Sequence, residues 1–153
     1  MTKFLFHDSN ELTELIGKEV AVSDWLEIKQ SMMQTFADCI NDHQWIHIDV
    51  ERAKKESIYG STIAHGFLTL SLIPYFLESC IAYPFAKRSI NYGLNKVRFP
   101  SAVTVNSKLR GRFFIQEITS IDGGIQIEWN IIIEIEGIEK PACAADVLFR
   151  LYF

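Results

Sequence analysis

Apolar side chains recur at helical spacing through the first half of the chain and alternate one by one through the last third. Residues 8–16 predict a short helix ended by Gly17, and residues 20–28 an extended stretch around Trp25. Over residues 29–40, Met32, Met33, Phe36, Ala37 and Ile40 form one buried helical face, and Asn41 suits the left-handed position that ends it. Residues 42–49 show no sustained period and predict a loop, after which Asp49 caps a short polar helix over 51–55. A further loop holds Tyr59 and Gly60. Residues 65–81 are apolar on nearly every side, through Phe67, Leu68, Leu70, Leu72, Ile73, Phe76, Leu77 and Cys80, so this helix belongs at the centre of a domain. Pro74 predicts a modest bend there, because it has no N–H for the Leu70 carbonyl.

Period two then takes over. The odd positions Val103, Val105, Leu109, Phe113 and Ile115 are apolar against Asn106, Lys108, Arg110 and Arg112, and Ile127, Trp129, Ile131, Ile133 and Ile135 against Gln126, Glu128, Asn130 and Glu134. Strand parity predicts a three-residue turn over Asp122, Gly123 and Gly124, which keeps both odd faces together and sets Arg112 opposite Glu134. Gly137 marks the next turn, Cys143, Ala145, Val147, Phe149 and Leu151 form a last strand, and an earlier strand over 89–99 ends at Pro100. Helices followed by about four antiparallel strands make an α+β domain. A long apolar helix is best satisfied by a curved sheet wrapped round it, which is the hot-dog arrangement. Its open edge predicts at least a homodimer.

Composition narrows the class. With 153 residues, 48% hydrophobic and 22% charged, the chain is expected to be one domain over residues 1–153. A net charge of -4 disfavours broad binding to nucleic acid or anionic lipid. The central apolar segment is too short and interrupted for a membrane span, and Phe4, Leu5 and Phe6 are too few for a secretory signal, so a cytoplasmic location is expected. Cys39, Cys80 and Cys143 lack zinc-site spacing and are expected to be buried small hydrophobes; Cys39 alone has a nearby base, His43.

Three of the four histidines fall between residues 43 and 65. A loop between Asp42 and His47 can aim a carboxylate and an imidazole at one water, the pair that hydration requires. The plainer alternative is that Asp42 satisfies loop amides and His47 packs as a polar residue. Gly66 opens the apolar helix, where an unpaired amide can hold a thioester oxygen as it gains enolate charge; its alternative is close helix packing. Asp38, Asp42, His43 and His47 could hold a divalent ion, but spacing aligns only the first two and hydration needs none, so neither metal nor cofactor is expected.

The run Phe36-Ala37, Asp42, Ile46-His47-Ile48-Asp49, Ala53, Ile63-Ala64-His65-Gly66 and Leu70-Ser71-Leu72 resembles the MaoC-like dehydratases, the (R)-specific enoyl-CoA hydratases. Residues 42–47 and Asn91-Tyr92-Gly93-Leu94-Asn95-Lys96-Val97-Arg98-Phe99-Pro100 are similar to the nodulation-protein-N branch, and the resemblance spans roughly residues 20–152. It implies a hot-dog dimer acting on an acyl-CoA or acyl-carrier-protein thioester, with Asp42 and His47 as catalytic dyad, the Gly66 amide as oxyanion hole, and His65, Trp45, Asn95 and Arg98 contacting substrate. For the CoA phosphates Lys96, Arg98, Lys108, Arg110 and Arg112 are candidates, though their alternation equally describes a solvated sheet face.

Two departures bear on the pocket. Asn41-Asp42-His43-Gln44-Trp45 stands where the hydratases commonly read Gly-Asp-x-Asn-Pro, and Pro74 where some place a serine; Trp45 either narrows the acyl pocket or packs on its loop. A hot-dog thioesterase is the nearest alternative, weakened because Phe67 replaces the second glycine of a His-Gly-Gly pattern. The other is a non-catalytic acyl-thioester binding protein.

Overall fold

The computed structural model describes residues 3–153. In chain order the elements are β1 (Phe4–Leu5), α1 (Ser9–Thr13), β2 (Glu19–Val22), β3 (Leu26–Glu27), α2 (Gln30–Ile40), α3 (Trp45–Ile48) and α4 (Val50–Glu56). Then follow α5 (Gly66–Ser71), α6 (Ile73–Cys80), β4 (Ile81–Ala82), β5 (Arg88–Arg98), β6 (Lys108–Ile121), β7 (Gly124–Ile135) and β8 (Ile138–Tyr152). The main sheet runs β2-β6-β7-β8-β5 with β3 also on β6, all antiparallel, while β1 and β4 pair in parallel.

The alternation read from the sequence is the inward face of this sheet. Leu109, Phe113, Ile115, Ile127, Trp129, Ile131, Ile133, Cys143, Ala145, Val147 and Leu151 are buried against Leu68, Ile73, Phe76 and Leu77 of the central helices. Gly111 lets α6 come close: a Cβ there would stand 3.0 Å from that of Phe76 and 2.7 Å from the Phe113 ring. A curved antiparallel sheet around a central helical segment is the hot-dog fold.

Several elements differ from expectation, each for a local reason. The β6–β7 connection is a two-residue turn over Asp122-Gly123, with Ile121 paired to Gly124 and Gly123 at φ +71. Parity is restored by a bulge between Ile115 and Glu117, where Gln116 is the extra residue. Beyond it an even-numbered side chain, Ile118, turns to the core. Arg110, not Arg112, therefore stands opposite Glu134, though Arg112 Nη1 still reaches that carboxylate at 3.2 Å. The extended stretch over 20–28 is two short strands, and β6 begins only at Lys108, because Asn106 takes a left-handed φ of 66 just before it. Residues 42–49 contain the single-turn α3 rather than loop alone.

The apolar helix is two pieces. Leu72 ends α5 with its N–H on the Thr69 carbonyl at 3.3 Å, and Pro74 sits in the first turn of α6, so proline starts a new helix instead of bending a continuous one. It is also not covered on every side, since Phe67 is 68% and Tyr75 55% exposed. No helix among the described residues is long and apolar enough to cross a membrane. Cys80 and Cys143 are buried, which pushes each thiol up to about 11, whereas Cys39 is exposed and His43 faces Asp38 at 2.8 Å.

Candidate active site

The site is assembled where α2, α3 and the start of α5 meet. Asn41 ends α2 at φ 58, ψ 34, and the Asp42 N–H turns back onto the Ala37 carbonyl at 3.1 Å. That left-handed residue turns the chain so that the Asp42 side chain leaves the helix face, half in solvent at 52% exposure. Its Oδ1 is 3.4 Å from the Gln44 N–H.

Two layers of hydrogen bonds hold His47. Its carbonyl accepts from Gln30 Nε2 at 2.8 Å, and Gln30 Oε1 accepts from the hydroxyl of fully buried Thr62 at 2.6 Å. Its ring Nδ1 lies 2.6 Å from the Ile63 carbonyl. A carbonyl only accepts, so Nδ1 carries the proton and Nε2 keeps its lone pair. Burial pushes the His47 pKa below the ordinary histidine value, and the neighbouring His65 ring acts in the same direction against the opposing pull of the Ile63 carbonyl and Asp42. The side chain is thus held as a neutral acceptor.

Side-chain ligand atoms of Asp42, His47 and His65 all lie within 4.8 Å of one another. The set differs from the metal candidates considered above, Asp38 and His43 being paired to each other instead. The two imidazoles stack with centroids 3.6 Å apart and planes at 25°. Ring-nitrogen lone pairs lie in the ring plane, so stacked rings direct them side by side rather than at one ion. The donor set does not fit a shared cation.

A cavity of about 300 Å³ is lined by His47, Tyr59, Gly66, Thr69, Phe99 and Ser101, among others. Gly66 is the first residue of α5, and a Cβ on it would lie 2.9 Å from the Phe99 ring, so its lack of a side chain accommodates a close aromatic neighbour. A larger apolar groove of about 510 Å³ runs beside Phe36, Phe67, Leu70, Ile73, Pro74 and Leu94.

The other expected substrate contacts are dispersed. His65 is 3% exposed and stacked on His47, and neither it nor Asp42 is among the residues lining the cavity. Trp45 lies under the Arg52 guanidinium at 4.4 Å and borders a second hollow, which shares Tyr59 and Ile63 with the cavity. Asn95 bonds Glu128 across the sheet at 3.1 Å, and Arg98 turns back to the Val97 carbonyl at 2.7 Å. Of the phosphate candidates, Lys108, Arg110 and Arg112 are paired with Glu136, Glu134 and Glu19, as on a solvated sheet face. Gln30 and Thr62 escaped sequence reasoning: neither belongs to a periodic face, and only the fold brings them under residue 47.

The fold is that of a hot-dog protein, and its relatives put the chain in the hydratase and dehydratase class. The sequence profile of the "MaoC like domain" family matches residues 11–134. The chain is 41% identical over 146 residues to 3-hydroxyacyl-thioester dehydratase Z of Mycobacterium tuberculosis, covering 95% of this chain and 96% of that protein. It is 38% identical over 146 residues to nodulation protein N of Rhizobium meliloti, covering 90% and 86%. Among solved structures it is similar to the MaoC-like dehydratase from Rhodospirillum rubrum, with a TM-score of 0.75 at 19% identity, covering 92% and 95%. The chain belongs to the MaoC-like family.

Proposed function

We propose that this chain catalyses (R)-specific hydration of trans-2-enoyl thioesters and the reverse dehydration, without a cofactor. The observation that carries the reading is the convergence of the Asp42 carboxylate and the His47 imidazole, with the proton of His47 held on Nδ1 by Ile63. Nε2 is then a free base. It takes a proton from water as the hydroxyl oxygen bonds to Cβ of the enoyl group, and the imidazolium so formed gives a proton to Cα. Asp42 orients the water and stabilises the transient imidazolium. The Gly66 N–H holds the thioester oxygen while it bears enolate charge.

A relative named for 3-hydroxyacyl thioesters at 41% identity supports the substrate class. The cavity beside His47 and Gly66 has room for a thioester and the first carbons of its chain.

Incubation with crotonyl-CoA, following enone absorbance and free thiol in parallel, tests the reading. Absorbance should fall with no thiol released and (R)-3-hydroxybutyryl-CoA as product. Thiol release at the same rate would mean hydrolysis, and neither change, with crotonyl- and longer enoyl-CoA alike, would mean binding alone; either contradicts the proposal.

A further inference from the structure

His65 is a polar side chain in an apolar position whose role the reaction above leaves open. It is buried at 3% exposure, with His47 stacked on one face and the Phe36 ring edge-on at 5.2 Å. Its Nε2 lies 3.1 Å from the backbone carbonyl of Asp42, which can only accept, so the proton is on Nε2. Nδ1 is left as a buried acceptor with no hydrogen-bond partner.

Two ordinary explanations fail. His65 occupies the N-cap position of α5 but makes no side-chain capping bond, so it is not there to close the helix. At 3% exposure, against 52% for the Asp42 side chain, its ring has almost no surface open to a substrate. An aromatic hydrocarbon would fill the same space without stranding a nitrogen acceptor. What His65 adds over such a residue is one directed N–H, which bonds the Asp42 main-chain carbonyl at 3.1 Å and lies 3.8 Å from the Oδ2 of the same residue.

We propose that His65 is a positioning residue: its ring backs the face of His47 while its Nε2–H anchors the Asp42 main chain, so that one side chain sets the distance between the two members of the dyad. The dyad members come from different segments, Asp42 after α2 and His47 in α3. His65, from a third segment, is the described residue whose ring is in contact with both. The inference rests on the hydration reading, because only a reaction that uses both groups on one water makes their separation matter.

The test uses two variants and two readouts. His65→Phe keeps a stacking ring and loses the N–H; His65→Gln loses the ring and keeps an N–H donor. With crotonyl-CoA, His65→Phe should lower kcat at least about tenfold while KM changes less than about twofold, as expected when reacting groups are misplaced without loss of substrate contacts. His65→Gln should recover part of that loss, and the melting temperature of His65→Phe should not fall, since a stranded acceptor is removed. Wild-type kcat in His65→Phe overturns the inference, as does a kcat loss that only follows a fall in melting temperature.

Histidine ring ¹⁵N spectra judge the inference separately from activity. His65 should be protonated at Nε2 and His47 at Nδ1, and the amide signals of residues 41–44 should shift and broaden in His65→Phe. A His65 proton on Nδ1, or an unmoved 41–44 segment, overturns it even if hydration is found. The expected spectra with no hydration in wild-type protein would instead reject the hydration reading and leave the anchoring contact standing.

Discussion

Gly66 and Phe99 illustrate how one missing methyl group governs the site. A Cβ at 66 would meet the Phe99 ring at 2.9–3.1 Å, so the ring, 41% exposed and lining the cavity, must shift. Gly66→Ala should therefore reduce hydration by about tenfold or more with little change in melting temperature. Adding Phe99→Ala should restore part of the rate if crowding is the cause. His47 carries a pH signature of its own. Its pKa is lower folded than unfolded, so between those two values the unfolded chain binds more protons. Stability from this residue is present above the ordinary histidine value of about 6.5 and is lost as pH falls through the window below it. Urea midpoints measured across pH 5–8, about the range in which histidine titrates, should decline on the acid side in the wild type and decline less in His47→Gln. The rate should likewise persist to a lower pH than an ordinary imidazole base would permit.

Among the elements, the end of α2 controls where Asp42 points. Asn41 holds φ 58, a conformation that disfavours branched side chains. Asn41→Gly should leave stability within a few tenths of a kcal/mol or raise it, whereas Asn41→Val should cost about 1–2 kcal/mol and depress activity, both measured by urea unfolding and the crotonyl-CoA rate. This cap was legible in the sequence because the chemistry is local: an apolar period stops and Asn follows. The strand faces were legible for the same reason, odd residues of β7 and β8 being inward as alternation requires. The Gln116 bulge was not. It lies inside a polar stretch where parity could be conserved by the turn or by the strand, and only the pairing of both strands decides between them. The same limit applies to the site. Asp42, His47 and Gly66 stand in recognisable motifs, but the support beneath His47 joins residues 30, 47 and 62 through contacts that no spacing encodes.

For the whole molecule, one edge of the sheet carries a run of exposed apolar side chains. Among the described residues β5 pairs only with β8 and exposes Ile90, Tyr92 and Leu94, while Phe67 and Tyr75 remain open on the central helices. An open strand edge beside exposed apolar side chains favours pairing with another copy, and we propose that β5 is where it occurs. Light scattering should then give twice the 17.6 kDa chain mass, and Leu94→Lys should shift it toward one chain. A monomeric wild type would contradict this.

On the proposed mechanism the carboxylate at 42 and the imidazole at 47 act together on one water. A cycle of Asp42→Asn, His47→Ala and the double variant, assayed with crotonyl-CoA on proteins of matched melting temperature, tests it most directly. Each single change should lower kcat by about 10²-fold or more, and the double change should lose little beyond the worse single one, because groups that work as a unit are lost as a unit. Either single variant hydrating at the wild-type rate, or losses that multiply in the double, would contradict the account.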